Sequence, residues 1–206
     1  KGKTTTAFLI YEILKNKYGK NVFIAGNFGK PALDILPKLN NKSLVVLELS
    51  SFQLQDLHKG PEIAVITNMT LDHMDPSGKF AAATHQTPKE YFGAKMNILK
   101  YQKPEDFAVI NPSLKPKTKD IDKGRKIYSS LIPTKTKLKG FHNLQNIALA
   151  VEIGKIFKDG KEILALAKMP ERTEINLDEY VSSQPSPTKT FNFELSTLNS
   201  KFHKIS

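Results

Sequence analysis

Short apolar runs alternating with stretches of helical period constrain this chain more than any other feature. The runs are Asn21-Val22-Phe23-Ile24-Ala25, Ser43 to Leu49, Ile63 to Thr67 and Phe107 to Asn111. From Thr4 to Tyr18, Ala7, Ile10, Tyr11 and Leu14 recur at helical spacing, with Leu9 and Ile13 as a second stripe. A helix apolar over so wide an arc lies on a sheet. Gly19 ends it, Pro31 suits the first turn of a second helix reaching Leu39, and Tyr91, Ala94, Lys95 and Ile98 mark a third. Strand alternating with helix predicts an α/β fold, a doubly wound, mostly parallel sheet flanked by helices. The unbroken Leu44-Val45-Val46-Leu47 run is what a strand buried on both faces carries.

In such sheets ligands bind beyond the carboxyl ends of the strands. The polar residues at those ends are Lys3 and Thr4, Asn27, Glu48 and Ser50, Asn68 and His73. Further along, Lys115 to Lys139 reads as loops around one edge strand, Lys126-Ile127-Tyr128, and Phe141 to Phe157 as a helix built on Leu144, Ile147, Ala148 and Val151. A short helix is expected over Lys161 to Ala167. From Ser182 to Ser206 the chain is rich in Ser, Thr, Pro and Lys, a composition expected to be poorly ordered. The expected organisation is one nucleotide-binding domain over residues 1–174 and a tail over 175–206.

The 206 residues suffice for one sizeable core. With no cysteine, disulfides and thiolate metal sites are excluded, and no apolar run approaches the roughly 20 residues of a membrane span. No signal peptide is visible, so a cytoplasmic protein is expected, with no membrane partner. The net charge of +11 is concentrated between Tyr101 and Gly140, where ten Lys or Arg face four Asp or Glu. That stretch lacks the arginine clusters and interleaved aromatics of single-strand binders, so a solvated lysine-rich face is favoured over a nucleic-acid surface. A polyanionic small molecule such as a nucleotide fits the charge equally well.

The chain opens on Lys1-Gly2-Lys3-Thr4-Thr5-Thr6 ahead of a helical pattern. Gly-Lys-Thr is the second half of a phosphate-binding loop, in which backbone N–H groups wrap a phosphate, a lysine reaches its outer oxygens and a hydroxyl holds Mg²⁺. Alone the triplet is a weak signal, carried also by ordinary surface turns. Glu48, at the end of an apolar strand, stands where P-loop enzymes place an acidic metal ligand; its bland alternative is a turn-capping glutamate. His73 lies between Asp72 and Asp75, in a loop where a ligand and a structural histidine are equally plausible from sequence. Asn27, Ser50 and Gln53 suit either a sugar or peptide substrate or the backbone of their own turns. Asn143 and Asn146, one helical turn apart, share a face and are suited to an adenine edge. Lys95 by itself reads as a solvated helix lysine.

Together these pieces resemble the ATP-dependent Mur ligases of peptidoglycan synthesis. The resemblance is carried by Gly2 to Thr6, Gly26-Asn27-Phe28-Gly29-Lys30-Pro31-Ala32-Leu33, Leu47-Glu48-Leu49-Ser50-Ser51-Phe52-Gln53-Leu54, Asn68 to Asp75, Ala94-Lys95 and Phe141 to Asn146. The Glu-Leu-Ser-Ser-Phe-Gln-Leu run is similar to the branch that adds D-glutamate to UDP-MurNAc-L-alanine. The resemblance implies the central ATPase domain of such a ligase, with the N-terminal strand of the phosphate loop missing. It implies ATP and two Mg²⁺ as cofactors, UDP-MurNAc-L-Ala and D-glutamate as substrates, and a monomer.

For the residues, it implies Lys3, His73 and Lys95 as catalytic, and Gly2, Lys3, Thr4, Thr5, Asn143, Asn146 and Arg172 on the nucleotide. Asn27, Ser50, Gln53 and His73 would contact substrate, and Thr4, Glu48, His73 and Lys95 would serve the metals, Lys95 as a carbamate formed with CO₂. Carbamate formation needs a neutral amine and hence a depressed lysine pKa. Two other readings stand beside it: a folylpolyglutamate-synthase-like ligase, against which Ser50-Ser51-Phe52-Gln53 argues, and a non-catalytic nucleotide-binding fragment.

Overall fold

The computed structural model describes residues 2–70, 87–131, 136 and 138–157. Five strands and six α-helices follow one another among them. They are α1 (Lys3–Tyr18), β1 (Val22–Gly26), α2 (Ala32–Ile35), β2 (Leu44–Glu48), α3 (Ser51–Gln55), β3 (Ile63–Ile66), α4 (Pro88–Lys100), β4 (Phe107–Ile110), α5 (Lys115–Thr118), β5 (Arg125–Tyr128) and α6 (Phe141–Ile156). Every strand pairing is parallel, as the strand–helix alternation requires. The helix over Lys161 to Ala167 and the tail lie outside the described residues.

Helices cover both faces of the strands. On one, α1 and α6 pack together, and Ile10, Leu14, Leu149, Ala150 and Ile153 meet Val22, Leu44, Val46, Ile63, Val65, Val109 and Ile127. On the other, Leu99, Met96 and Phe92 of α4 meet Ala64, Ile66, Ala108 and Ile110. Odd and even residues of β3 thus enter different cores, the period-two alternation of a strand covered on both sides.

The strands form two sheets, β1–β2 and β3–β4–β5. The Asn27 N–H donates to the Glu48 carbonyl, so the backbone groups of Val45 and Leu47 point away from β1. The Asn111 N–H donates to the Ile66 carbonyl, which leaves those of Ile63 and Val65 pointing away from β4. The helices that follow β2 and β3 pack on each other, and each of these strands is a margin of its own sheet. For this reason Leu44 to Leu47 are only half-buried, not covered on all sides as the apolar run predicted.

Other differences are local. The helix after Pro31 is α-helical only to Ile35 and then narrows to a 3₁₀ turn over Leu36–Lys38, because Pro37 has no N–H for the helical ladder. Lys115–Thr118, expected as loop, is one helical turn with Pro116 near its start, where proline costs nothing. No helix among the described residues is long and apolar enough to cross a membrane.

Candidate nucleotide and substrate site

α1 starts at Gly2, which adopts a left-handed conformation (φ 81°, ψ −3°) and has its carbonyl bonded by the Thr6 N–H at 2.9 Å. Lys3, Thr4 and Thr5 form the first turn of a 16-residue helix, whose free N–H groups and dipole favour an anion. Lys3 lies near Lys95 of α4, and the two positive charges repel. Among the described residues neither has an acidic partner. Burial first, and then Lys3, lower the Lys95 pKa from 10.5 to about 8, although the Tyr91 ring 4.7 Å from its Nζ favours the ammonium form. Two lysine charges that act on each other favour an anion near them.

A buried acidic residue, Glu48, stands at the end of β2. It is 7% exposed, and its Oε2 is buried without a hydrogen-bond partner. A carboxylate oxygen in that condition is costly unless a cation completes it. Gly26, opposite Glu48 in the register, has φ 105°, and a Cβ there would collide with the Glu48 carbonyl oxygen. The strand end is therefore shaped around Glu48, and Asn27 is presented beside it, its side chain exposed.

Ser50 and Gln53 form a capping box on α3. The Gln53 N–H donates to Ser50 Oγ at 3.2 Å, and the Ser50 N–H donates to Gln53 Oε1 at 2.8 Å. The turn role weighed from sequence is thus realised, while the Ser50 hydroxyl hydrogen and the Gln53 amide nitrogen stay available to a ligand. Ser50→Ala is expected to cost about 1 kcal/mol through loss of the cap, measured as a lower urea midpoint with unchanged slope.

α6 brings Asn146 to Gly2, and Asn146 Nδ2 donates to Asn143 Oδ1 at 3.2 Å. The expectations for His73 and Arg172 lie outside the described residues, and among these no cluster of three His, Cys, Asp or Glu forms a metal cage. Sequence reasoning missed Thr6, 2% exposed with an unpartnered Oγ1 on the sheet-facing side of α1. Its place in a Thr-Thr-Thr run gave no signal.

Residues 1–132 match the family model described as "Mur ligase middle domain". The chain belongs to the Mur ligase middle-domain family. Similar proteins bear the name UDP-N-acetylmuramoylalanine–D-glutamate ligase. The one from Symbiobacterium thermophilum is 44% identical over 110 residues, covering 53% of this chain and 22% of the relative. The one from Clostridium tetani is 32% identical over 228 aligned positions, covering 92% of this chain and 47% of the relative. The one from Acetivibrio thermocellus is 43% identical over 110 residues. This Mur ligase middle domain therefore spans less than half the length of these curated relatives.

Proposed function

We propose that this domain is the ATP-binding centre of a cytoplasmic, monomeric ligase that joins D-glutamate to UDP-MurNAc-L-alanine in peptidoglycan synthesis. The observation that carries the reading is the start of α1 at the left-handed Gly2, with Lys3 in its first turn and near enough to Lys95 of α4 to help lower its pKa. The names of the relatives support the substrate pair.

In the first step a substrate carboxylate oxygen bonds to the γ-phosphorus as the bond to the ADP oxygen breaks. In the second, the D-glutamate amine bonds to the acyl carbon, phosphate leaves, and the amine gives up a proton. Lys3 holds the phosphate charge, and the α1 N–H groups orient it. Thr4 and the unpartnered Glu48 oxygen suit Mg²⁺, with His73 and Lys95 proposed for a second ion. When bound, these ions would neutralise charge on the transferred phosphoryl group. Asn27, Ser50 and Gln53 are placed for the nucleotide-sugar substrate, and Arg172 is proposed near the phosphates.

Lys95 is proposed to react with CO₂: its neutral nitrogen bonds to carbon and releases a proton. At pH 7.4 an amine of pKa about 8 is neutral in about one molecule in five, against about one in a thousand for an ordinary lysine. Acetic anhydride labelling read by mass spectrometry is expected to show Lys95 half-reactive near pH 8. Reactivity tracking the surface lysines would contradict this. The sign for stability follows. The depressed pKa penalises the folded state below about pH 8, and the penalty fades as pH rises to 10.5. Lys95→Met is therefore expected to raise the melting temperature at pH 7 and not above pH 10.5.

The test of the whole reading is calorimetric titration of Mg²⁺–ATP into this chain and into a version lengthened at its N-terminus. Binding by either supports it; no binding by both would sink it.

A further inference from the structure

α3 and α4 are joined by a side chain that the proposed chemistry does not use. Asn97, half-buried on α4, donates through Nδ2 to the Leu54 carbonyl at 3.0 Å and to the Gln55 carbonyl at 2.9 Å. An amide nitrogen carries two hydrogens, one for each acceptor. Both carbonyls belong to the last residues of α3, where helical carbonyls run out of partners within the helix. The Leu57 N–H shares the Leu54 carbonyl at 3.2 Å. So short a helix is held mainly by what closes its ends. The amino end of α3 is closed from within, by Ser50 and Gln53, whereas its carboxyl end is held by a side chain 43 positions along the chain.

α4 is seated without help from α3. Its Leu99 is fully buried, and with Met96 and Phe92 it packs on Ala64, Ile66, Ala108 and Ile110. Lys95 precedes Asn97 by two residues, and residues so spaced do not share a helix face. One helix therefore carries Lys95 on one side and grips α3 with another. The gripped helix starts two residues after Glu48 and presents the Ser50 hydroxyl and the Gln53 amide at its amino end.

We propose that Asn97 is a positioning residue: by holding the carboxyl end of α3 it sets where Ser50 and Gln53 stand relative to Lys95, and so where a nucleotide-sugar substrate lies against the phosphates. The part concerning substrate rests on the ligase reading above; the tie between α3 and α4 does not.

Two sets of measurements test it. In the ligand-free protein, Asn97→Ala is expected to speed hydrogen exchange of the Leu54 and Leu57 amides about tenfold while amides of β4 keep their rates. Asn97→Asp, of the same size but with acceptors where the donors stood, is expected to exceed it. Unchanged exchange at both amides in both variants overturns the tie. The labelling midpoint of Lys95 is expected to stay near pH 8 in Asn97→Ala, because α4 keeps its own seat. A shifted midpoint with steady Leu54 and Leu57 amides would make Asn97 a support of α4 and overturn the proposal. In calorimetry, Asn97→Ala is expected to weaken UDP-MurNAc-L-alanine about tenfold and Mg²⁺–ATP less than about twofold. Equal losses for both ligands would overturn the positioning role. If the original protein binds no UDP-MurNAc-L-alanine while Leu54 and Leu57 exchange respond as expected, the substrate reading falls and the tie between α3 and α4 stands.

Discussion

Lys3→Ala is expected to weaken Mg²⁺–ATP binding about a hundredfold, the loss of a charge-assisted contact to phosphate. The same substitution has a second readout that needs no ligand. Lys3 is one of the two causes that depress the Lys95 pKa, burial being the larger. Removing it should raise that pKa part of the way towards 10.5 and shift the labelling midpoint of Lys95 to higher pH. A variant that loses ATP but leaves Lys95 labelling unmoved would mean that the two lysines do not share a site. One that moves Lys95 but binds ATP normally would mean that the shared site is not for phosphate.

Gly26→Ala is expected to be the most destabilising single change at the site. The new Cβ would strike the Glu48 carbonyl oxygen with the Glu48 C and N atoms 3.1 Å away, all backbone that cannot rotate aside. It would also place a non-glycine residue at φ 105°. Overpacking and a strained dihedral together should cost about 3 kcal/mol or more, lowering the melting temperature by about 10 °C. Calorimetric melting checks this directly. A drop of less than about 2 °C would show that the β1–β2 margin is soft enough to shift, and that Glu48 is held less firmly than its register implies.

Much of this was legible in the sequence because it depends on local pattern. The apolar stripe of α1, the runs of β1 to β4 and the Lys126-Ile127-Tyr128 edge strand all appear where periodicity placed them. Ser50 and Gln53 carry the Ser-x-x-Gln spacing of a capping box, which marks the start of α3 in the sequence itself. The features that escaped depend on neighbours distant in the chain. A lysine at position 95 looks like any helix lysine until α4 is laid beside α1, and an apolar run such as Leu44 to Leu47 does not say whether both its flanks are paired. Asn143 and Asn146 were recognisable as a pair one helical turn apart, but Gly2, beside which Asn146 lies, is more than a hundred residues upstream.

The division of the strands into two sheets has a mechanical consequence. Glu48, Asn27 and Ser50 ride on the β1–β2 sheet, whereas Lys95 is borne by the helix that covers β3 and β4. Among the described residues no backbone ladder ties one half to the other; α1 and α6 straddle them, and α3 rests on α4. Side-chain contacts yield to sliding far more readily than a hydrogen-bonded ladder does. The separation between the carboxylate of Glu48 in one half and Lys95 in the other is thus a shear coordinate, set by how the helices seat. A ligand that bridges the two halves would act as a strut across that joint.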